Sequence, residues 1–417
     1  MTQENYRDEL INLMQIRAFC QVVAHGSVSK AANELFRTQS AITRAIHELE
    51  ETLAVPLFER HAGGMRLTDA GKCILPRAER AMAELHLIPQ QLARLSGKSG
   101  RNESEPLWLY NVRRLQIFVT LCRTRHMQSV AVQLGLSQPA VSAALKVLEN
   151  GAQTALLERS PHGLTPSLAG REIEPAIRRA LNELRHIPAD LAARKGILEG
   201  TVRIGALPLG RTRLLPQAII KLTSRYPGVR VVTSESAWET LSAEMRSGDI
   251  DFIFGALRDS DTLKDISSET LFSEEMVLVA RRDHPLTHRP PDWQALREAR
   301  WVLPRSATPA RRLLDSCFAA MGIPAPDPVV ESGDLALVRG LLRDSDMLTA
   351  VSAHQLEVEL AAKELVALPA ALPNTRRAIG LSYRTGCLHS PAAEALIGFL
   401  REVCLSATSQ ADLPATE

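Results

Sequence analysis

With 417 residues, the chain exceeds one ordinary domain, so we expect two to four domains, each with its own hydrophobic core. No apolar run approaches the roughly 20 residues that a membrane-spanning helix needs, and the charged start lacks a signal peptide's apolar core, which excludes a membrane protein and predicts a cytoplasmic location. Residues 1–200 carry 25 Lys and Arg against 20 Asp and Glu, whereas the rest carries 24 against 27, so we expect a polyanion to bind the first half.

The first half contains an internal repeat of about a hundred residues. A shift of 99 positions aligns Phe19 with Phe118, Ala32 with Ala131, Gln39 with Gln138, Leu49-Glu50 with Leu148-Glu149, Gly71 with Gly170, Pro76 with Pro175, and Ile88-Pro89 with Ile187-Pro188. A local length difference between the copies is expected before Gly71. The segment 96–106 is rich in Ser, Gly and charge, which predicts an exposed linker.

The spacing of apolar residues predicts three helices in the first copy. The residues expected to face inward are Ile16, Phe19, Val22 and Val23 on the first helix, and Ala41, Ile42, Ala45, Ile46 and Leu49 on the third. Gly26-Ser27 separates the first helix from a short second one at 29–35, where the small pair Ala31-Ala32 lets another helix approach closely. Thr38 is expected to cap the third helix.

The opposite face of the third helix is polar. It presents Gln39, Ser40, Thr43, Arg44 and His47, which is typical of a helix-turn-helix, whose second helix places polar side chains against base edges in the major groove. Gln bonds an adenine edge, Arg reaches guanine or phosphate, and the helix N-terminus favours phosphate. A solvated helix face is the alternative interpretation of this pattern.

The first copy resembles the DNA-binding domain of LysR-type regulators through almost its whole length. The residues that carry the resemblance are Phe19, Gly26-Ser27, Ala31-Ala32, Leu35, Gln39-Ser40-Ala41, Leu49-Glu50-Glu51, Leu57-Phe58, Arg60, Leu67-Thr68 and Ala70-Gly71. The resemblance implies that 38–44 meets DNA, that the hairpin around 61–65 is a wing on phosphates, and that the helix 76–94 dimerises.

The second copy keeps part of this pattern and departs from the rest. It retains the run 137–142 (SQPAVS), with a proline that the first turn of a helix tolerates. However, Arg125-His126 replace the Gly-Ser turn, Val130 replaces an alanine, Ala143 replaces the arginine, and the wing is expected to be rearranged through 160–162. Two interpretations stay open: a second DNA reader with different specificity, or a structural remnant kept for dimerisation.

The candidate DNA contacts are polar or first-turn residues of the two modules. They are Ser29, Thr38, Gln39, Ser40, Thr43, Arg44, His47 and Arg66 in the first copy, and Ser137, Gln138, Pro139, Ser142 and Lys146 in the second.

The C-terminal half alternates strand-like and helix-like segments, which predicts α/β layers with mostly parallel sheets. The motifs VRIGALPLG, YPGVRV, SGDIDFIFG and ARRDHPL resemble the effector domain of the same family, across roughly 201–404. This resemblance implies two lobes like those of a periplasmic binding protein. The first would comprise 201–283 with 370–404, and the second 284–369, with the ligand between them.

Candidate effector contacts lie in loops at the strand ends. They are Leu209, Gly210 and Arg211 after the first strand, Trp238 at a helix start, Ala256 and Arg258 after the third strand, and Ser306, Thr308 and Pro309 before a second-lobe helix. Arginines beside hydroxyls and helix N-termini suit a small carboxylate or phosphate, although surface arginines are a common alternative. Relatives often place Ser or Thr where Leu209 stands.

The sequence shows no catalytic, cofactor or metal motif, and its six cysteines are scattered without a C-x-x-C pair, which favours reduced thiols. We therefore predict a ligand-responsive transcriptional regulator that binds double-stranded DNA, a small anionic effector, a second copy of itself as dimer or tetramer, and RNA polymerase. The alternatives are a solute-binding transport module and a DNA-binding protein with a vestigial sensor. The expected domains are two winged helix-turn-helix modules at 11–73 and 110–172, linker helices at 74–95 and 173–199, a flexible linker at 96–109, the effector domain at 200–404 and a tail at 405–417.

Overall fold

The computed structural model describes residues 11–61, 64–97, 105–161, 163–258, 263–288, 291–306 and 308–411. These residues form two compact units. The first runs up to Gly200 and includes Arg246–Asp249, and the second contains the other residues from Thr201 onward.

The first unit contains the same series of six elements twice. The first copy consists of α1 (Leu13–His25), α2 (Val28–Glu34), α3 (Gln39–Leu53), β1 (Phe58–His61), β2 (Gly64–Leu67) and α4 (Asp69–Leu95). The second copy consists of α5 (Val112–Thr124), α6 (Met127–Leu134), α7 (Gln138–Ala152), β3 (Leu157–Ser160), β4 (Gly163–Pro166) and α8 (Leu168–Arg194). Each element of the second copy begins 99 residues after its counterpart, so the expected local length difference is wrong.

Equivalent side chains cap equivalent helices. Thr38 accepts a hydrogen bond from the amide of Ala41 at the start of α3, and Ser137 accepts one from Ala140 at the start of α7. The turn after α1 ends at Gly26 with φ 62°, and Arg125 adopts φ 63° in its place. Arg125 therefore adopts the same left-handed backbone conformation as Gly26, although this conformation is less favourable for a residue with a side chain.

Several sequence predictions about the first unit need correction. On α3, Ile42, Ile46 and Leu49 are buried as expected, but Ala41 is exposed because the first turn of the helix projects beyond the core. The strands β3 and β4 pair in the same register as β1 and β2, so the second wing is not rearranged in its strands, and its tip residue 162 lies outside the described residues. The helices α4 and α8 start within the predicted module boundaries, before 74 and 173.

The end of the predicted flexible linker is packed rather than exposed. Pro106, Leu109 and Tyr110 are buried, and a short helical turn spans Leu107–Leu109. The Tyr110 hydroxyl lies 3.0 Å from Nε2 of His86 and donates to Glu105, which also pairs with Arg17. A cluster of apolar and charged contacts therefore fixes 105–110 on the first copy; residues 98–104 lie outside the described part.

The long helices α4 and α8 pack along each other, and both copies share one hydrophobic core. Two ion pairs across this contact are related by the 99-residue shift: Arg80 binds Glu183 at 3.0 Å, and Arg179 binds Glu84 at 2.7 Å. Such reciprocal contacts are the signature of a two-fold, self-complementary interface. One chain thus contains a pseudo-dimer of its own two copies.

One buried cation breaks the symmetry of this contact. Arg77 is 1% exposed, and its guanidinium lies 2.8 Å from both Glu183 and Asp190 of α8. The residues at the equivalent positions of the other copy are Ala176 and Gln91, which carry no charge.

The second unit contains two five-stranded sheets with helices packed on them. The order in one sheet is β6 (Val229–Ser234), β5 (Gly200–Ala206), β7 (Phe252–Ala256), β14 (Arg377–Arg384) and β8 (Ile266–Glu274). The order in the other is β11 (Val330–Glu331), β10 (Arg300–Leu303), β12 (Met347–Ser352), β9 (Met276–Arg281) and β13 (Leu365–Ala367). The helices are α9 (Leu214–Arg225), α10 (Trp238–Ser247), α11 (Trp293–Glu298), α12 (Pro309–Ala320), α13 (Leu335–Arg343), α14 (Glu357–Ala361) and α15 (Pro391–Ala411).

Three predictions for this unit are wrong in detail. The strand β9 belongs to the second sheet, so the chain crosses between lobes at Glu275 and not after residue 283. The sequence runs from β8 into β9 without Gly or Pro, which hid the crossing. Both sheets are mixed, because β9 and β14 run antiparallel to their neighbours. The helix α15 extends to Ala411, so the start of the predicted tail is helical.

Candidate nucleic-acid interface and effector site

The face of α3 predicted to read DNA is solvent-exposed. Gln39, Ser40, Thr43, Arg44 and His47 are all exposed. The Gln39 amide donates to the Ser29 hydroxyl at 2.9 Å, and the Thr38 and Ser40 hydroxyls lie 3.0 Å apart. The structure thus brings these predicted contacts together at one end of the helix, beside a hollow lined by α2, the turn and Ala41.

Arg44 is held in place by a neighbouring carboxylate. Its Nε donates to Glu48 at 2.8 Å while 82% of its side chain stays exposed. The hydrogen bond from Arg44 lowers the pKa of the Glu48 carboxyl, as does that from Gln15. This arrangement orients a guanidinium outward, where it is free to meet a base or a phosphate.

The wing is attached to the recognition helix by a partly buried carboxylate. Glu50 accepts hydrogen bonds from the amides of Leu57 and Phe58 at 2.6 and 3.2 Å, and Glu149 makes the same bonds in the second copy. A Cβ on Gly71 would lie 2.3 Å from the Leu57 carbonyl oxygen, so only glycine allows this approach. Arg66 is exposed on β2, at the register position opposite Glu59.

The corresponding face of α7 is exposed but differs chemically. Gln138, Pro139, Ser142 and Lys146 are exposed, as is the capping residue Ser137. The positions of Arg44 and Glu48 are taken by Ala143, which is exposed, and Val147, which is 39% exposed. An ion pair on the first module is therefore an apolar pair on the second.

In the second unit, the three residues predicted after the first strand differ in exposure. Leu209 is 3% exposed, and Gly210 lies so close to Phe254 that a Cβ would sit 2.5 Å from its ring. Both residues serve packing. Arg211 is exposed, its Nε donates to the Ala206 carbonyl at 2.8 Å, and burial lowers its pKa against opposing effects of Glu235 and Asp334.

Trp238 contacts an arginine of the following strand end. The guanidinium carbon of Arg258 lies 5.1 Å from the centre of the Trp238 ring, a cation–π contact. Burial lowers the pKa of Arg258, Glu239 raises it, and the charges of Arg312 and Arg377 lower it further. Arg258 follows β7 and Arg377 opens β14, and the Leu257 amide donates to the Ala378 carbonyl at 2.9 Å, so these two arginines belong to adjacent strands. Arg312 lies on α12.

Arg377 was missed by sequence reasoning. Its Nε is buried without a hydrogen-bond partner among the described residues, and burial lowers its pKa against the effect of Glu274. It opens β14, more than a hundred residues from Arg258, so no local pattern links the two. A buried guanidinium N–H without a partner is costly, and a bound anion would supply the missing acceptor.

The remaining candidates lie at the start of α12. Thr308 caps this helix by accepting from the Arg311 amide at 3.4 Å, Pro309 is its first residue, and Ser306 is exposed. The N-terminus of α12, together with the guanidinium of Arg312 on the same helix, favours a negatively charged ligand. Among the described residues, no group of His, Cys, Asp or Glu side chains has the arrangement of a metal site.

Comparison with known proteins decides the family. A family model for the bacterial regulatory helix-turn-helix protein of the LysR family matches residues 13–72 and 112–171, and one for the LysR substrate binding domain matches 195–405. The HTH-type transcriptional regulator GalR of Pseudomonas putida is 58% identical over 395 residues, which are 95% of this chain and 98% of GalR. The chain belongs to the LysR family. It is a DNA-binding transcriptional regulator with a ligand-binding domain, and its relatives are regulators, not enzymes.

Other members of the LysR family match a smaller share of this chain. PcaQ of Agrobacterium fabrum is 28% identical over 293 residues, which are 94% of PcaQ but 70% of this LysR-type regulator. A full-length OxyR from Pseudomonas aeruginosa has a similar fold, with a TM-score of 0.56 at 22% identity over 70% of this chain and 94% of its own. The match with GalR is long enough to include both N-terminal copies.

Two further findings concern the described residues alone. None of their helices is long and apolar enough to cross a membrane. All six cysteines lie among them as free thiols, and burial raises the pKa of Cys20 to about 12.

Proposed function

We propose that the two helix-turn-helix modules of one chain read two parts of one operator as an intramolecular pair. The observation that carries this proposal is the reciprocal contact of α4 and α8, in which Arg80 binds Glu183 and Arg179 binds Glu84. A two-fold arrangement of readers matches the pseudo-symmetry of a DNA duplex. The predicted contacts, from Ser29 to Lys146, then belong to two half-sites.

The buried charges favour pairing within the chain. An α4–α4 contact between two chains would place Arg77 opposite Gln91 and lose Asp190, its partner on α8. An α8–α8 contact would leave Asp190 opposite Ala176. Because an unpaired buried charge is costly, the mixed pair α4–α8 is preferred.

The second unit, in this proposal, senses a small anion between its two sheets. Arg258 lies over the Trp238 ring, Arg377 has a buried Nε without a hydrogen-bond partner among the described residues, and Arg312 and the N-terminus of α12 add positive potential. We include the predicted contacts Arg211, Trp238, Ala256, Ser306, Thr308 and Pro309 in this proposed site, whereas Leu209 and Gly210 are buried.

The partners follow from this role. LysR-type regulators bind DNA and small-molecule effectors and form oligomers, so we propose a homo-oligomer, dimer or tetramer, that acts in the cytoplasm where the operator is found. Contact with RNA polymerase stays a prediction.

A second candidate function concerns the second module alone. Its α7 has Ala143 where α3 has Arg44, which favours a structural remnant that serves the α4–α8 contact without reading DNA. In that case one chain reads one half-site.

The first test removes a reader of the first module. Arg44→Ala is expected to weaken operator binding by about 1–3 kcal/mol and to cost much less on random DNA, because the variant cannot make a bidentate hydrogen bond to a base edge. Fluorescence anisotropy on both duplexes measures this. Equal losses of affinity would make Arg44 a phosphate contact, and an unchanged affinity would place recognition elsewhere.

The effector is tested by thermal shift against a panel of small carboxylates and inorganic phosphate. A binding anion at about a hundred times its Kd stabilises the folded state by about 2.7 kcal/mol, and Arg377→Gln is expected to abolish this gain. Arg401→Gln, which removes an exposed cation of α15 that binds Glu269, is the matched control and should retain it. Full stabilisation of the Arg377 variant by the same anion would contradict the assignment.

A further inference from the structure

We infer that the operator is asymmetric: the half read by α7 presents thymine methyl groups where the half read by α3 presents a guanine. This inference rests on the proposed reading of DNA by both modules. It concerns the chemistry of the second half-site.

The inference starts from a paired replacement on equivalent helix faces. On α3, Arg44 and Glu48 form an exposed ion pair at 2.8 Å. On α7, both members are replaced together, by Ala143 and Val147. Both apolar residues are solvent-accessible, and exposed Ala140 extends them by one turn along the same face.

Ala140, Ala143 and Val147 form an apolar strip, and polar side chains that suit DNA binding surround it. Gln138 stands at the first turn as Gln39 does on α3, Ser142 follows one turn later, and Lys146 takes the place of His47. A surface for a protein partner would be expected to extend its apolar area over these positions too. The amide, hydroxyl and ammonium groups of these three residues are those that bond base edges and phosphates.

The apolar chemistry of the strip indicates which group of the DNA contacts it. In the major groove, the apolar group on a base edge is the C5 methyl of thymine, which alanine and similar side chains contact. Arginine at the same position would instead bond O6 and N7 of guanine. Because Gln is present at the equivalent place in both helices, an adenine is expected in both half-sites.

Two other differences between the modules point the same way. Arg66 on the first wing is replaced by Thr165, and Asn33 by Val132, which is 74% exposed. At these two positions the second module has one cation fewer and one exposed apolar side chain more than the first.

The experiment selects duplexes from a random library with the full-length protein. The wild type is expected to enrich a site of two unlike halves, with guanine in one and thymine at the equivalent place in the other. The variant that grafts the ion pair, Ala143→Arg with Val147→Glu, is expected to convert the second half to guanine with at least about tenfold preference over thymine. Both substituted side chains are exposed, so the fold is retained.

The reciprocal variant is the matched control. Arg44→Ala with Glu48→Val is expected to shift the first half toward thymine. A wild-type site with guanine in both halves would overturn the inference, as would a graft that leaves the selected bases unchanged. A graft that leaves DNA selection unchanged but abolishes transcription would make the strip a protein contact. Protection of one half-site alone would instead contradict the proposed function, so the two failures are distinguishable.

Discussion

Replacing Arg77 by methionine is expected to destabilise the first unit by about 3–5 kcal/mol. The guanidinium is 1% exposed and lies 2.8 Å from the carboxylates of Glu183 and Asp190. Methionine fills a similar volume but leaves the carboxylates of Glu183 and Asp190 in the α4–α8 contact without the cation that they share. The free energy of unfolding, from urea titration of the full chain followed by circular dichroism, measures the loss.

The control lies on the same helix. Lys72 pairs with Asp69 at 3.0 Å, but both side chains are more than half exposed, so Lys72→Met should change stability by less than about 1 kcal/mol. Neutralising the partners as well, with Glu183→Gln and Asp190→Asn beside Arg77→Met, should recover part of the loss because no buried carboxylate is then left without Arg77. Arg80, which loses its bond to Glu183, is partly exposed to solvent. A loss no larger than that of Lys72→Met would show that this contact does not hold the copies together.

The repeat made much of the first unit predictable. A shift read from a few matching residues places all twelve helices and strands of the two copies, because capping and apolar spacing act over a few residues along the chain. The exposed faces of α3 and α7 were predictable for the same reason. Ala41 was predicted to face inward from helical periodicity alone. Periodicity does not indicate that the first turn of α3, where Ala41 lies exposed, extends beyond the helices packed against it.

The pairing of α4 with α8 was not predictable, and the sequence left it open. Arg77 reads as an ordinary charged residue on a long helix until Asp190, more than a hundred residues away, is placed beside it. The arginines of the second unit pose the same problem, because Arg258 and Arg377 converge only through sheet order. The crossing at Glu275 was hidden since two strands follow each other without a turn residue.

Removing the polar side chains of α7 is expected to shorten the protected DNA at one end and to weaken binding by about 1–3 kcal/mol for each base that is no longer read. The variant is Gln138→Ala with Ser142→Ala and Lys146→Ala, three exposed positions where alanine leaves the core intact. DNase footprinting of the full-length protein on a selected operator measures the protected length.

The same variant changes the salt dependence of binding. If Lys146 neutralises a phosphate, the slope of log Kd against log salt falls by roughly 0.9, because the variant releases about one counterion fewer from the DNA. The matched variant Gln39→Ala with Thr43→Ala and His47→Ala alters the equivalent positions of α3 and should shorten the footprint at the opposite end. Because α4 and α8 pack against each other, the two modules of one chain stay together. Each variant therefore removes one DNA-reading helix face and leaves the other in place. A footprint and slope that change only with the α3 variant would mean that the second module is kept for the α4–α8 contact, and that Ala143 marks a helix that no longer reads DNA.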